Sequence, residues 1–385
     1  MNPYRLFQAL GFAALLGASL LPLSAQEPAE NAIETLQERL EKGEVSLRYD
    51  ENGHGYLRSV LKALDIPEDS QVLPFSKSSF QAELISPQHP RAVYFNADVS
   101  VAAVHGDMLE IIANNKAGGL SFYTLAKPRF DTPRFERRLG LCVECHARVG
   151  HRTVGWIVAD ITTASDGLPQ VSDPAQPFSF TDDTVPFEKR WGGWYVTGAT
   201  GQMRHRGNVT SRAEAPYDLP PTAGLNVADL SGHFEAGQVL QPGSDVVALL
   251  TLEHQTGFTN RAFALNVSFA EEDAQRLADY MTFKDEVKLP SPVKGSSSFA
   301  ERFAASGPRD AQGRSLRDFD LKTRLFRHPL SYMLYSAAFD ALRPSNKALV
   351  YRKLYGILRQ TAEGRAAIAI AAATKPDIPA DWKTP

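Results

Sequence analysis

The chain contains two cysteines, Cys142 and Cys145, and His146 directly follows the second. Cys142-Val143-Glu144-Cys145-His146 is a C-x-x-C-H sequence, the spacing at which two thiols add across the two vinyl groups of one haem. The adjoining imidazole then lies under the iron as its proximal ligand. A Cys142–Cys145 disulfide, a redox dithiol and a pair of metal ligands are the competing uses of such a pair. A zinc site needs further thiols, which the chain lacks. A dithiol oxidoreductase belongs on a thioredoxin-like βαβ pattern, and the flanking sequence does not carry one. With both thiols committed to covalent haem c, no disulfide remains to staple the fold. The chain must hold itself together by ordinary packing.

The N-terminus says where such a haem would be attached. Residues 1–25 carry Arg5, an apolar run from Leu6 to Leu21, and Leu23-Ser24-Ala25 ahead of Gln26-Glu27. That order reads as a secretory signal peptide cleaved after Ala25. The alternative is an uncleaved anchor, but the apolar run is short for a span and Pro22 interrupts it near its end. The expected location is periplasmic or secreted, with no integral membrane segment after cleavage. Export agrees with the motif, because bacterial haem c is attached outside the cytoplasmic membrane.

Hydrophobic residues make up 43% and charged residues 22% of the 385, enough apolar material for a sizeable core. A net charge of −3 gives no argument for nucleic acid or for an anionic membrane surface as partner.

Patterning predicts an α+β fold, with an antiparallel β-rich N-terminal and middle region and a helical C-terminal third. Ile33, Leu36 and Leu40 mark a short leader helix within residues 26–44, ended by Gly43, and Leu57, Val60, Leu61 and Leu64 mark a second before Pro67. Ala92–Phe95, Val99–Val104, Met108–Ala113 and Leu120–Leu125 read as an antiparallel meander. A basic connector, Lys127 to Arg138, leads into the haem motif. Beyond it, Thr153–Thr162, Trp191–Gly198 and Val246–Leu252 read as strands, and 212–222 as loop. Ser268, three before Glu271, has capping-box spacing for a helix reaching Met281. Residues 289–315 read as a surface excursion. Leu330, Met333, Leu334 and Phe339 begin a helix that Pro344 stops, and Leu349 to Ile357 form the next. The haem-binding region then spans 45–360, as one domain or as two subdomains, 45–265 and 266–360, with 361–385 as a C-terminal tail.

A six-coordinate iron needs a distal ligand, Met or His in most cases. The leading candidate is His205, in Gly201-Gln202-Met203-Arg204-His205-Arg206-Gly207-Asn208, with His254 and Met203 behind it. Arg204 and Arg206 beside it would offset propionate charge. A solvated polar loop and an open sixth position are the plain alternative. The small helical class of cytochrome is not expected, since strands and turns lie between the motif and Met203.

Ser70–Lys77, Pro90–Asn96, Cys142–His146, Arg190–Gly198 and Pro329–Tyr332 together resemble a family of uncharacterised secreted bacterial proteins with a single cytochrome c-type haem motif. The resemblance covers residues 45–360. His205 and His254 match its pattern, whereas Thr200 stands where the family has His and Arg206 where it has Met. The resemblance implies a haem c protein of unassigned activity. The expected function is electron transfer with a redox partner protein. A haem-based module binding a small ligand, or a haem enzyme of peroxide or nitrogen-oxide chemistry, is the alternative. The G-x-S-x-G, H-E-x-x-H and P-loop patterns are missing, and a single C-x-x-C-H excludes a two-haem peroxidase.

Overall fold

The computed structural model describes residues 29–147, 154–170, 179–211, 224–235 and 237–383. The signal segment 1–25 and the loop read at 212–222 lie outside them. The architecture is α+β as the patterning requires, with antiparallel sheet in the first half and helices dominating the last third.

The sheet is a five-stranded antiparallel meander: β1 Ala92–Phe95, β2 Val99–Ala103, β3 Met108–Asn114, β4 Leu120–Ala126 and β5 Phe135–Arg138, paired in chain order. The fifth strand lies in what the sequence presents as a basic connector. Phe135 pairs with Leu125 and Arg138 with Phe122, so backbone pairing recruits a segment with one apolar residue among four. Alternation along β3 sends Leu109, Ile111 and Ala113 to one face and Met108, Glu110 and Ile112 to the other.

The first face packs on α1 (Ala32–Glu41) and α2 (Leu57–Ala63), where Ile33, Leu36, Leu57, Val60 and Leu61 join Tyr94, Val101, Leu109 and Tyr123 in one core. Asn31 caps α1 by accepting from the Ile33 and Glu34 amides, and its side-chain amide donates to the Tyr123 hydroxyl at 2.9 Å. Tyr123 donates in turn to Glu34 at 2.7 Å, so the cap ties helix to sheet.

The opposite face meets the second core. Val93, Phe95, Ala102 and Trp156 share it with the C-terminal helices, so apolar packing is continuous across residue 265 and does not divide there. The motif helix α3 (Leu141–His146) follows β5 directly. At the centre of the second core runs α4 (Val246–Ser268), which replaces the expected strand Val246–Leu252. An unbroken apolar run is common to a buried strand and a buried helix, and only its length separates them. Here 18 of 23 helical residues are buried, so the helix shows no polar face that would announce its period. Asp245 fixes its start by accepting from the Val247 and Ala248 amides.

α5 (Glu271–Met281) packs on α4, and α6 (Phe299–Ala305) sits inside the expected surface excursion. The segment from Leu330 breaks into a 3-10 turn, Tyr332–Tyr335, and the short α7 (Ala337–Asp340). Pro344 opens α8 (Pro344–Leu358) rather than ending the preceding helix, because a first-turn position needs no backbone N–H. The expected tail carries α9 (Ala362–Thr374), whose Ala367, Ile368, Ile370 and Ala371 are buried in the second core with Trp382.

The expected strands at Thr153–Thr162 and Trp191–Gly198 shrink to two-residue ladders at Ala159–Asp160, Trp194–Tyr195 and Gly198–Ala199. Positive φ at Trp191 (72°) and Gly193 (78°) turns the chain there and prevents a continuous strand. Arg190, 1% exposed, clamps this segment to α4 through a 2.9 Å ion pair with the fully buried Glu253. Among the described residues, no helix is long and apolar enough to cross a membrane.

Candidate haem site

Gly140, at φ 62°, redirects the chain as it leaves β5, and α3 then places Cys142, Cys145 and His146 within little more than one turn. Both thiols are free, Cys142 half-buried and Cys145 exposed. Burial raises the Cys142 thiol above its ordinary range, with Glu110 and Cys145 adding to the shift. It is therefore a neutral thiol at pH 7, not the activated thiolate of a dithiol oxidoreductase.

His146 carries the clearest signature. Its Nδ1–H donates to the Gly155 carbonyl at 2.7 Å, and its ring packs on Phe122 with centroids 4.8 Å apart. A proton held on Nδ1 leaves the Nε2 lone pair outward, which is how a metal-ligating histidine is oriented by a carbonyl behind it. Burial pushes the ring's pKa down to about 4, so the imidazole is neutral at pH 7 and in its ligating form. Gly155 amide donation to the His146 carbonyl at 3.0 Å closes the same loop from the other side.

Leu139 is 72% exposed immediately before the helix, and Phe80 and Leu84 are 50% and 43% exposed beside Gln81, whose side chain binds Glu110. Free thiols and an oriented imidazole fit a covalently attached haem. No group of three or more His, Cys, Asp or Glu suited to a bare metal ion occurs among the described residues.

The structure brings Cys142, Cys145 and His146 together on α3, and His205 lies on a different segment, beyond the Trp194–Tyr195 ladder. His205 is buried against Trp191, ring centroids 5.1 Å apart, and its Nδ1 accepts from the Gly207 amide at 3.1 Å. An accepting Nδ1 puts the ring proton on Nε2, the reverse of the arrangement at His146. His205 Nε2 is buried without a hydrogen-bond partner, and to ligate through it the ring would have to move its proton to Nδ1 and give up the Gly207 contact. The two reserve candidates fare no better. Met203 is fully buried in the second core. His254 uses both nitrogens, Nδ1 donating to Asp183 at 2.8 Å and Nε2 accepting from the Ser331 hydroxyl at 2.7 Å.

Asp183, His254 and Ser331 stand in the order of a serine nucleophile's relay, an arrangement for which the sequence offers no motif. Ser331 is 0% exposed and accepts from the Met333 amide, and Tyr280, Phe283, Phe326 and Tyr332 surround the imidazole. The hydroxyl is enclosed, and the trio forms an internal hydrogen-bond ladder with Asp183 Oδ1 left without a partner.

Sequence reasoning missed Gly155, Phe122, Glu110 and Arg91 around the motif. Period-two alternation of β3 and β4 would have flagged Glu110 as a charge among apolar neighbours, whereas the Gly155 carbonyl carries no side-chain signal at all. Comparison with protein-family models, curated proteins and solved structures finds no match for this chain.

Proposed function

We propose that the protein is an exported monohaem c-type cytochrome that passes single electrons to or from a redox partner protein. The observation that supports this most is the pairing of the chain's two thiols with an imidazole whose Nδ1–H is fixed at 2.7 Å on Gly155. The haem, when bound, supplies the one-electron iron couple. Cys142 and Cys145 hold it through thioethers, each formed by adding S–H across a vinyl double bond with no net redox change. His146 would present Nε2 to it, and Gly155 and Phe122 keep that ring from turning.

A second reading has an open sixth position that takes a small ligand. It draws on His205 with its proton on Nε2, His254 with both nitrogens engaged, and Met203 in the core. Visible spectra of the purified protein, oxidised and reduced, with and without carbon monoxide, separate the two. Electron transfer by a six-coordinate iron predicts a low-spin spectrum indifferent to the gas. A high-spin spectrum that shifts with it selects the binding module instead. On either reading, His146→Ala displaces the Soret band and His205→Ala leaves the spin state unchanged in electron paramagnetic resonance. Conversion from low to high spin in His205→Ala would restore His205 as a ligand.

A further inference from the structure

Register fixes what faces the motif helix. Glu110 pairs with Thr124 and Ile112 with Phe122, so all four side chains share the sheet face on which the Phe122 ring meets His146. Along β3, the residues on that face are Met108, Glu110 and Ile112, and Glu110 is the charge among them. It is held from three sides: Oε1 accepts from Gln81 at 3.0 Å and Ser79 at 3.4 Å, and Oε2 pairs with Arg91 at 3.3 Å. The two charged side chains are only 17% and 21% exposed. Their placement also reaches the motif electrostatically, Glu110 acting on both Cys142 and His146, and Arg91 acting on His146.

A pinned, largely desolvated charge pair is a poor means of stabilising a sheet, because an apolar pair of similar volume would serve as well or better. Its value lies in a fixed field at a place of low dielectric. We propose that Glu110, with Arg91 as its counter-charge, sets the reduction potential of the iron held by His146, an inference that rests on the haem reading above. A fixed anion stabilises the ferric over the ferrous state and lowers the potential, and Arg91 opposes it.

The full chain, matured with haem-attachment machinery, is titrated spectroelectrochemically as wild type, Glu110→Gln, Arg91→Gln and Arg91→Lys. Glu110→Gln keeps hydrogen-bonding capacity and should raise the midpoint. Arg91→Gln should lower it, and Arg91→Lys should restore it towards wild type, all with an unchanged Soret position. Opposite displacements are the signature, since loosened packing does not reverse sign with the charge removed. Should Glu110→Gln fail to fold, the Arg91 pair of variants carries the same test. Midpoints that coincide with wild type, or that all move the same way, overturn the proposal. Wild-type protein without covalent haem overturns the earlier reading instead, so the two failures are distinct.

Discussion

At the scale of single residues, the grouping of the motif residues was legible and the support around them was not. Cys142, Cys145 and His146 are adjacent in sequence, so their meeting on one helical turn follows from helix geometry alone. The carbonyl that orients His146 comes from Gly155, nine residues on, and a detail of the same kind sets the tautomer of His205. Which ring nitrogen carries the proton depends on a backbone amide two residues away. Buried ionic partners were equally silent, and Asp182 offers a test of one. Burial pushes its carboxyl up, but Arg261 at 2.8 Å and the Thr184 hydroxyl and amide outweigh that and hold it below the ordinary 3.8. A depressed folded pKa gives stability that is complete above the unfolded value and lost as pH falls through the folded one. Asp182→Asn should therefore cost about 1–2 kcal/mol at pH 7, and its urea midpoint should converge on that of wild type as pH drops well below 4. A gap of constant size across that range would show that Asp182 stays charged or never contributed.

At the scale of elements, amphipathic segments were readable and buried ones were not. α1, α2 and β3 show a polar face and an apolar face, and their periods announce them, while β1, β2 and β4 were legible as short apolar runs bounded by turn residues. α4 is buried on every side from Val246 to Thr259, so its first seven residues match a buried strand equally well. β5 shows the converse, a polar segment made into a strand by the unsatisfied edge of β4. Proline misled for a related reason, since Pro344 ends nothing when it occupies the first turn of α8. The element whose docking is most exposed to a single change is α1. Asn31→Ala removes its cap and the 2.9 Å bond to Tyr123 together, and should lower unfolding stability by about 1–2 kcal/mol. Tyr123→Phe, which spares the cap, should cost less. Since Tyr123→Phe also removes the bond to Glu34, a loss in urea titrations for Asn31→Ala no larger than that for Tyr123→Phe would mean that the cap contributes no more than that bond.

At the scale of the whole molecule, two cores share one sheet, and the motif helix lies where the chain leaves that sheet's last strand. One core is closed by the N-terminal helices, the other by α4 and the elements that follow it, including the C-terminal α9. The extensive chain beyond the motif is thus accounted for as structure: it builds the second core, which shares its sheet face with Phe122 and Glu110. That face, the free thiols of α3 and the oriented His146 ring are one arrangement, and covalent haem is the claim on which the account stands. The direct measurement is haem staining after denaturing electrophoresis, with intact mass, on the full chain matured with haem-attachment machinery. Wild type should stain and carry the mass of one haem, and Cys142→Ser with Cys145→Ser should abolish both signals. A wild-type band that never stains, or a double variant that still does, would contradict it.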